Sequence, residues 1–354
     1  MKELKKVSWR SPSNIALVKY WGKHGNQLPS NPSISFTLDQ CYSETSLSIS
    51  EKESKNSKDK GLELKFYFDK KENLAFRIKI LSFFEGISKD FPFLSKYALS
   101  VNSTNSFPHS SGIASSASAM SALALCLVEM NSKLSGTKVK PDTDKLMKNA
   151  SYYARIGSGS ASRSIYPVAS LWGAAHGVKG SSDEYAIPYE KQVNKVFKTY
   201  QNSILIASSA EKKVSSRVGH TLMKTNPFAK ARYKQANENL TEVLDALKSG
   251  DLEKFGTITE TEAMTLHALM MCSSPNFILM TPSTLAMIEK IKAFRESTKL
   301  PLYFTLDAGP NIHLLYPENI KSKVIPFIQA DLSEHCENGK IIWDKVGKGP
   351  ASIK

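Results

Sequence analysis

Asp307 stands where an apolar segment, Leu302 to Leu306, stops and the turn Asp307-Ala308-Gly309-Pro310-Asn311 begins. In many turns such an Asp only bonds its own backbone. At the rim of a cleft the same carboxylate is partly desolvated and can orient a substrate hydroxyl or take its proton. Arg163 follows a run of small residues, Gly157-Ser158-Gly159-Ser160-Ala161-Ser162. Its guanidinium can lie along bared backbone there and pair bidentately with a carboxylate or phosphate, although a surface Arg near a helix end would look the same. Lys19 and Lys23 flank Tyr20-Trp21 in a segment that reads as an apolar strand, where a Lys either guards a sheet edge or faces a ligand. Val214-Ser215-Ser216-Arg217 joins hydroxyls to a cation, although such a cluster standing alone is more often a polar helix start.

A fifth element gives these groups a phosphate to work on. Residues 105–130 begin with Ser, Gly and Ala and continue with Met120, Leu123, Leu127 and Met130 at helical spacing. A small-residue loop running into a half-buried helix offers unpartnered N–H groups and a partial positive charge to an anion. Ser115, Ser116 and Ser118 add hydroxyl donors. No Lys follows Gly112, so this is not the Walker-type phosphate loop. Phosphate-binding loops, cations and one placed carboxylate together point to phosphoryl transfer onto a small anionic alcohol. The residue types do not identify the alcohol.

The elements that must hold these groups are legible in outline. Alternation marks strands around Ile34 to Leu38, Leu47 to Ile49 and Leu62 to Phe68, with a further broken strand from Val7 toward Gly22. Leu74, Ile78, Leu81 and Phe84 predict a helix over 73–88, followed by a strand at Tyr97 to Val101. Pro141 and two Asp residues start a helix over about 141–155, which ends in a small-residue loop from Arg155 to Ser164. Val168 to Ala175 reads as a buried strand. Polar, Pro-containing residues 179–200 place a domain boundary. Beyond it come strands at Ser203 to Ala207, Leu302 to Leu306 and Ile312 to Tyr316, and helices at about 228–248, 251–271 and 283–296. The pattern is α+β, antiparallel sheets with helices layered on them in two halves.

Composition narrows the class. At 354 residues the chain fits two packed domains, and 41% hydrophobic with 23% charged residues is globular usage. No run of 18 apolar residues occurs and the start lacks the apolar core of a signal peptide, so a cytoplasmic protein without a membrane anchor is expected. Four scattered Cys and seven His without ligand spacing argue against a disulfide framework and a protein-held transition metal. The net charge of +14 suits a polyanionic substrate or nucleic acid; the Lys residues are scattered and form no basic stripe interleaved with aromatics.

Five blocks, in order, carry a resemblance. Ser13-Asn14-Ile15-Ala16 with Lys19-Tyr20-Trp21-Gly22-Lys23 and Leu28-Pro29-Ser30-Asn31-Pro32-Ser33-Ile34-Ser35 form the first. Asn105-Ser106-Phe107-Pro108, Gly112-Ile113-Ala114-Ser115-Ser116-Ala117, Gly157 to Ser164 and Asp307 to Asn311 follow. Together they resemble the diphosphomevalonate decarboxylases of the GHMP kinase superfamily. The resemblance implies a two-domain GHMP kinase-like fold with a deep cleft between the domains, an ATP-binding domain over 1–190, a second domain over 191–354, and a homodimer. It implies ATP-dependent conversion of mevalonate 5-diphosphate to isopentenyl diphosphate, ADP, phosphate and CO2, with Mg2+ carried by ATP and no metal held by side chains alone. By that likeness Asp307 activates the tertiary 3-hydroxyl, Arg163 holds the substrate carboxylate and Lys19 stabilises charge at the reacting centre. Ala16, Tyr20, Lys23, Ser158, Gly159, Ser160, Ser216 and Arg217 would bind the substrate. Ser106, Pro108, Ser111, Gly112, Ala114, Ser115 and Ser116 would cradle the ATP phosphates. His109-Ser110-Ser111 stands where the family usually has Thr-Ala-Ala, and His24-Gly25 where an acidic residue is common. Alternatives are a mevalonate 5-phosphate decarboxylase, a mevalonate 3-kinase and, from another class, a basic non-catalytic nucleic-acid-binding protein.

Overall fold

A computed structural model describes residues 3–52, 61–108, 113–136, 143–210 and 216–353, and of Ser216 and Arg217 the backbone alone. The chain opens with strand β1 (Glu3–Ala16), a short ribbon of β2 (Lys23–His24) and β3 (Leu28–Pro29), and the long strand β4 (Ser33–Ser50). Strands β5 (Glu63–Phe68) and β6 (Lys71–Glu72), helices α1 (Leu74–Ile87) and α2 (Phe93–Lys96), and strand β7 (Ala98–Asn105) follow. Helices α3 (Ser115–Leu134) and α4 (Asp144–Gly157) then lead to β8 (Ala169–Trp172) and β9 (Ala186–Pro188). The remainder comprises α5 (Lys195–Lys198), β10 (Gln201–Leu205), α6 (Ser216–Leu222), α7 (Ala229–Ser249), α8 (Leu252–Met271), α9 (Pro282–Thr298), β11 (Tyr303–Thr305), β12 (Ile312–Tyr316), α10 (Lys321–Phe327), β13 (Ile341–Lys345) and β14 (Ala351–Ile353).

Two main sheets organise the molecule. The first runs β14-β1-β4-β7-β5-β6, with β8 and β9 joined to one end of β4; the second runs β11-β12-β10-β13. Every described pairing is antiparallel except β5 with β7, which α1 connects as a crossover. The family-level expectation of antiparallel sheets with packed helices in two domains therefore holds. The last strand returns to the first sheet, where Ser8 pairs with Ile353.

Sequence explains the bend that matters most. Pro12 has no N–H to give the ladder, and the β1–β4 register slips between Pro12 and Asn14. The bulge turns Ser13 and Asn14 onto the small-residue segments: Ser13 Oγ donates to the Ile113 carbonyl at 2.6 Å, and Asn14 Nδ2 donates to Ser164 Oγ at 2.8 Å. One core lies between the first sheet and α1, α3 and α4, built on Trp9, Leu47, Phe84, Val101 and Leu127. A second joins the two halves, where Phe36 of β4 meets Phe197 and Phe255 with ring centroids 6.2 and 5.8 Å apart. This shared apolar floor fixes the halves against each other beneath the cleft.

Several local expectations are corrected. Lys19 is not in a strand: β1 ends at Ala16, and Leu17 N–H makes one more bond to Ile34 before the chain enters a buried loop. The strands at 34–38 and 47–49 are one strand, β4. Arg155 to Ser164 is not a loop, because α4 runs to Gly157 and a 3-10 helix occupies Gly159–Ile165. The Ser118 hydroxyl is no phosphate donor; it is fully buried and shares a 2.6 Å hydrogen bond with Ser43.

Candidate active site

A cavity of about 640 Å³ opens between the halves. Its polar end is lined by Lys19, Tyr20, Lys23, Ser158, Gly159, Ser160, Arg163, His220 and Asp307. At its other end lie Phe66, Phe68, Phe76, Ile80 and Phe83 from β5 and α1, with Ala114, Ser115 and Ser116 at the start of α3 between the two ends.

Lys19 and Asp307 meet across 288 positions of sequence, with Nζ donating to Oδ1 at 2.9 Å. The ammonium is buried and also donates to the Ala16 carbonyl at 2.7 Å, while the Asp307 side chain stays 27% exposed to the cavity. Burial pulls the Lys19 pKa below the ordinary lysine value, and Asp307 opposes that shift. The loop carrying Lys19 is clamped on both sides. Its N–H donates to Glu262 Oε2 at 2.7 Å, and its carbonyl accepts from Arg232 at 3.0 Å and Asn31 at 3.1 Å. Arg232 and Glu262, both fully buried, form a bidentate pair at 2.7 and 2.5 Å, and Asn239 donates to the same carboxylate. The Asp307 turn is pinned in turn: Thr284 donates to the Pro310 carbonyl, Asn311 exchanges two hydrogen bonds with Ser208, and His267 Nε2 lies 3.1 Å from the Asp307 carbonyl.

Arg163 projects from the 3-10 helix into a buried slot. Its Nη1 donates to Ser33 Oγ at 2.8 Å and its Nε lies 3.4 Å from Asn14 Oδ1. No carboxylate forms an ion pair with it among the described residues, and burial lowers its pKa to about 10 despite the field of Asp307. A desolvated cation held by neutral oxygens and the face of the Trp172 ring is prepared for an anionic ligand. Tyr20 Oη is likewise buried without a hydrogen-bond partner among the described residues. The backbone of Gly159 approaches it so closely that an added Cβ would lie 2.9 Å from that oxygen.

Helix α3 follows Ala114, which takes the left-handed conformation (φ 47°, ψ 42°), and no side chain among the described residues caps it. Ala114, Ser115 and Ser116 line the cavity at this helix start, and a helix N-terminus with hydroxyls beside it fits an anion. Lys23 donates to Gln27 at 2.8 Å on the β2–β3 ribbon, and Ala16 lines the polar end. Ser106 lies outside the lining: it donates to the Gln40 carbonyl and accepts from Tyr42 N–H, closing the end of β7, and Pro108 is also apart from the lining. Ser111 and Gly112, with the His109-Ser110-Ser111 departure, lie outside the described residues, as do the side chains of Ser216 and Arg217.

Residues 11–186 match the diphosphomevalonate decarboxylase-like N-terminal domain, and residues 203–348 the mevalonate 5-diphosphate decarboxylase C-terminal domain. The chain belongs to the diphosphomevalonate decarboxylase family. A diphosphomevalonate decarboxylase of Debaryomyces hansenii is 28% identical over 376 aligned positions, covering 96% of this chain and 93% of the relative. The mevalonate diphosphate decarboxylase of Staphylococcus aureus superposes with a TM-score of 0.83 at 29% identity, covering 99% and 98% of the two chains. A structure of MDDEF in complex with MVAPP, AMPPCP and magnesium gives a TM-score of 0.80 at 28% identity, covering 99% of each chain.

Three parts of this site lie outside the residues that the sequence singles out. The Arg232–Glu262 clamp carried a signal, since Glu262 falls on the apolar stripe of α8 between Phe255 and Leu266. The aromatic end also carried one, because Phe76, Ile80 and Phe83 share a face of α1 opposite the alternating Phe66 and Phe68. His220 carried none, as nothing local places it beside Tyr20.

Proposed function

We propose that the cleft performs ATP-dependent decarboxylation of mevalonate 5-diphosphate by first phosphorylating the 3-hydroxyl. The observation that carries this reading is the Lys19–Asp307 pair, a partly exposed carboxylate and a buried ammonium joined in the cavity that also holds Arg163. Asp307 takes the proton of the tertiary hydroxyl as its oxygen attacks the γ-phosphorus of ATP and the bond to ADP breaks. Lys19 orients that carboxylate through its 2.9 Å hydrogen bond and sets positive charge beside the reacting centre. Arg163 holds the substrate carboxylate in its slot. Phosphate, a far better leaving group than hydroxide, then departs from C3, the C–CO2 bonding pair becomes the new double bond, and isopentenyl diphosphate and CO2 are released.

Tyr20 Oη, the Gly159 backbone, Ser158, Ser160, Lys23 and Ala16 bind the substrate at the polar end, with Ser216 and Arg217 assigned there by resemblance. Ala114, Ser115 and Ser116 hold the ATP phosphates on the α3 N-terminus, the resemblance adds Ser106, Pro108, Ser111 and Gly112, and the aromatic wall of β5 and α1 takes the base. Mg2+ bound with ATP neutralises charge on the transferring phosphate; among the described residues no three His, Cys, Asp or Glu side chains stand grouped to hold it alone. The domain boundary is set near residue 190, which the two matched segments support. The reading includes a cytoplasmic homodimer, supported by the family likeness and, for the compartment, by four unpaired cysteines.

The test offers mevalonate, its 5-phosphate and its 5-diphosphate separately with ATP and Mg2+, following ADP and CO2 together. Equal ADP and CO2 from the diphosphate is the expected result. Preference for the monophosphate, or ADP without CO2, would contradict it.

A further inference from the structure

We propose that His220 is a substrate-binding residue of this cleft, donating its Nε2–H to an anionic oxygen of the substrate's phosphorylated tail. The inference rests on the functional reading above and adds a contact to it.

The tautomer follows from the backbone. Gly22 N–H donates to His220 Nδ1 at 3.0 Å, so Nδ1 is an acceptor and a neutral ring must carry its proton on Nε2. Gly22 can present that N–H because it adopts φ +95°, and a side chain there would strike Tyr233. The ring is held as well as oriented. It packs against Tyr20 at 4.2 Å and Trp21 at 4.6 Å between centroids, and the next helical residue back, Gly219, lies so close to Trp21 that an added Cβ would sit 2.5 Å from the indole. His220 is 8% exposed, that remaining surface lines the cavity, and Nε2 has no hydrogen-bond partner among the described residues.

The surroundings select the ligand. Burial, and then the two cations that act on the ring among the described residues, Lys23 and Arg163, lower its pKa to about 3. A second positive charge is therefore disfavoured, and protonation would also break the Gly22 bond. A neutral N–H donor between two cations suits an oxygen of a polyanion that those cations attract, and it supplies direction where Lys23 supplies only charge.

Calorimetric binding of mevalonate 5-diphosphate to the full-length protein tests this, comparing wild type with His220→Phe and His220→Gln. Phe keeps the ring packing and removes the donor, whereas Gln restores an N–H at a similar reach. His220→Phe is expected to weaken diphosphate binding about tenfold, or about 1.4 kcal/mol, with the KM for ATP within about twofold of wild type. His220→Gln is expected to recover to within about threefold. Unchanged binding in His220→Phe would overturn the proposal, as would equal losses for substrate and ATP with a lowered melting temperature, which mark a packing role. Binding needs no turnover, so a wild-type protein that binds the diphosphate without releasing CO2 fails the functional reading while the variants still decide the role of His220. A wild-type protein that does not bind the diphosphate overturns both.

Discussion

Replacing Glu262 by Gln separates the scaffold of the site from its chemistry. The Glu262 carboxylate is fully buried and accepts from Lys19 N–H, both Arg232 Nη groups and Asn239. A Gln amide turns one accepting oxygen into a donor facing donors and leaves the Arg232 guanidinium buried without its counter-charge. Removing one partner of such a pair costs about 3–5 kcal/mol. For a domain of this size that is a fall of roughly 6–20 °C in melting temperature. The same change loosens the Lys19 backbone at its N–H, and a displacement of about 1 Å at a reacting centre lowers turnover on the order of 100-fold. Thermal denaturation and steady-state kinetics well below the transition read the two effects. The double variant Glu262→Leu, Arg232→Met removes both charges and should regain most of the stability, yet remain slow because the Lys19 backbone keeps only its Asn31 bond. A Glu262→Gln protein within about 1 kcal/mol of wild type, or a double variant with full activity, would refute the reasoning.

Arg163→Ala should raise the KM for mevalonate 5-diphosphate and lower kcat, each by about tenfold or more, while ATP binding measured by fluorescence titration is unchanged. Acid should destabilise the fold through two buried neutral histidines, His220 and His313, whose pKa values burial lowers to about 3 and about 4. The unfolded chain binds protons that the folded chain refuses, so stability is full above about pH 6.5 and falls by about 1.4 kcal/mol per pH unit for each histidine as pH drops toward the folded values. Urea midpoints from pH 7 to 4.5 check this, and His313→Gln should flatten the slope by about one proton. Chelation of Mg2+ should abolish ADP release without moving the melting temperature, and restored Mg2+ should return it, because the ion enters with the nucleotide.

Long helices were readable because their period is local: Leu240, Val243, Leu244 and Leu247 fall on one face and become the buried face of α7. Strand continuity was not, because distant partners decide it. Asp39, Gln40 and Cys41 interrupt the apolar alternation, but their N–H groups are all taken by the Asp344 carboxylate, about 300 positions away, and β4 runs through. Leu17 and Val18 read as strand since both are apolar, yet a buried loop has the same composition when side chains such as Asn31 satisfy its backbone. At the site, residue type was informative where pairing was not. Asp307, Arg163 and Lys19 were conspicuous one at a time, whereas the clamp on Lys19 needs α7 and α8 folded side by side before Arg232 can reach Glu262. His220 was invisible for the same reason, since its tautomer depends on Gly22, 198 positions earlier.

Phosphoryl transfer in Asp307→Asn tests the central assignment most directly. With γ-labelled ATP, Mg2+ and mevalonate 5-diphosphate, a rapid-quench single turnover follows the label onto substrate while calorimetry follows binding. The expected result is substrate binding within a few-fold of wild type and transfer slowed by about 100-fold or more, with CO2 release slowed in step. Wild-type transfer in the variant would show that another group activates the hydroxyl and would contradict the account.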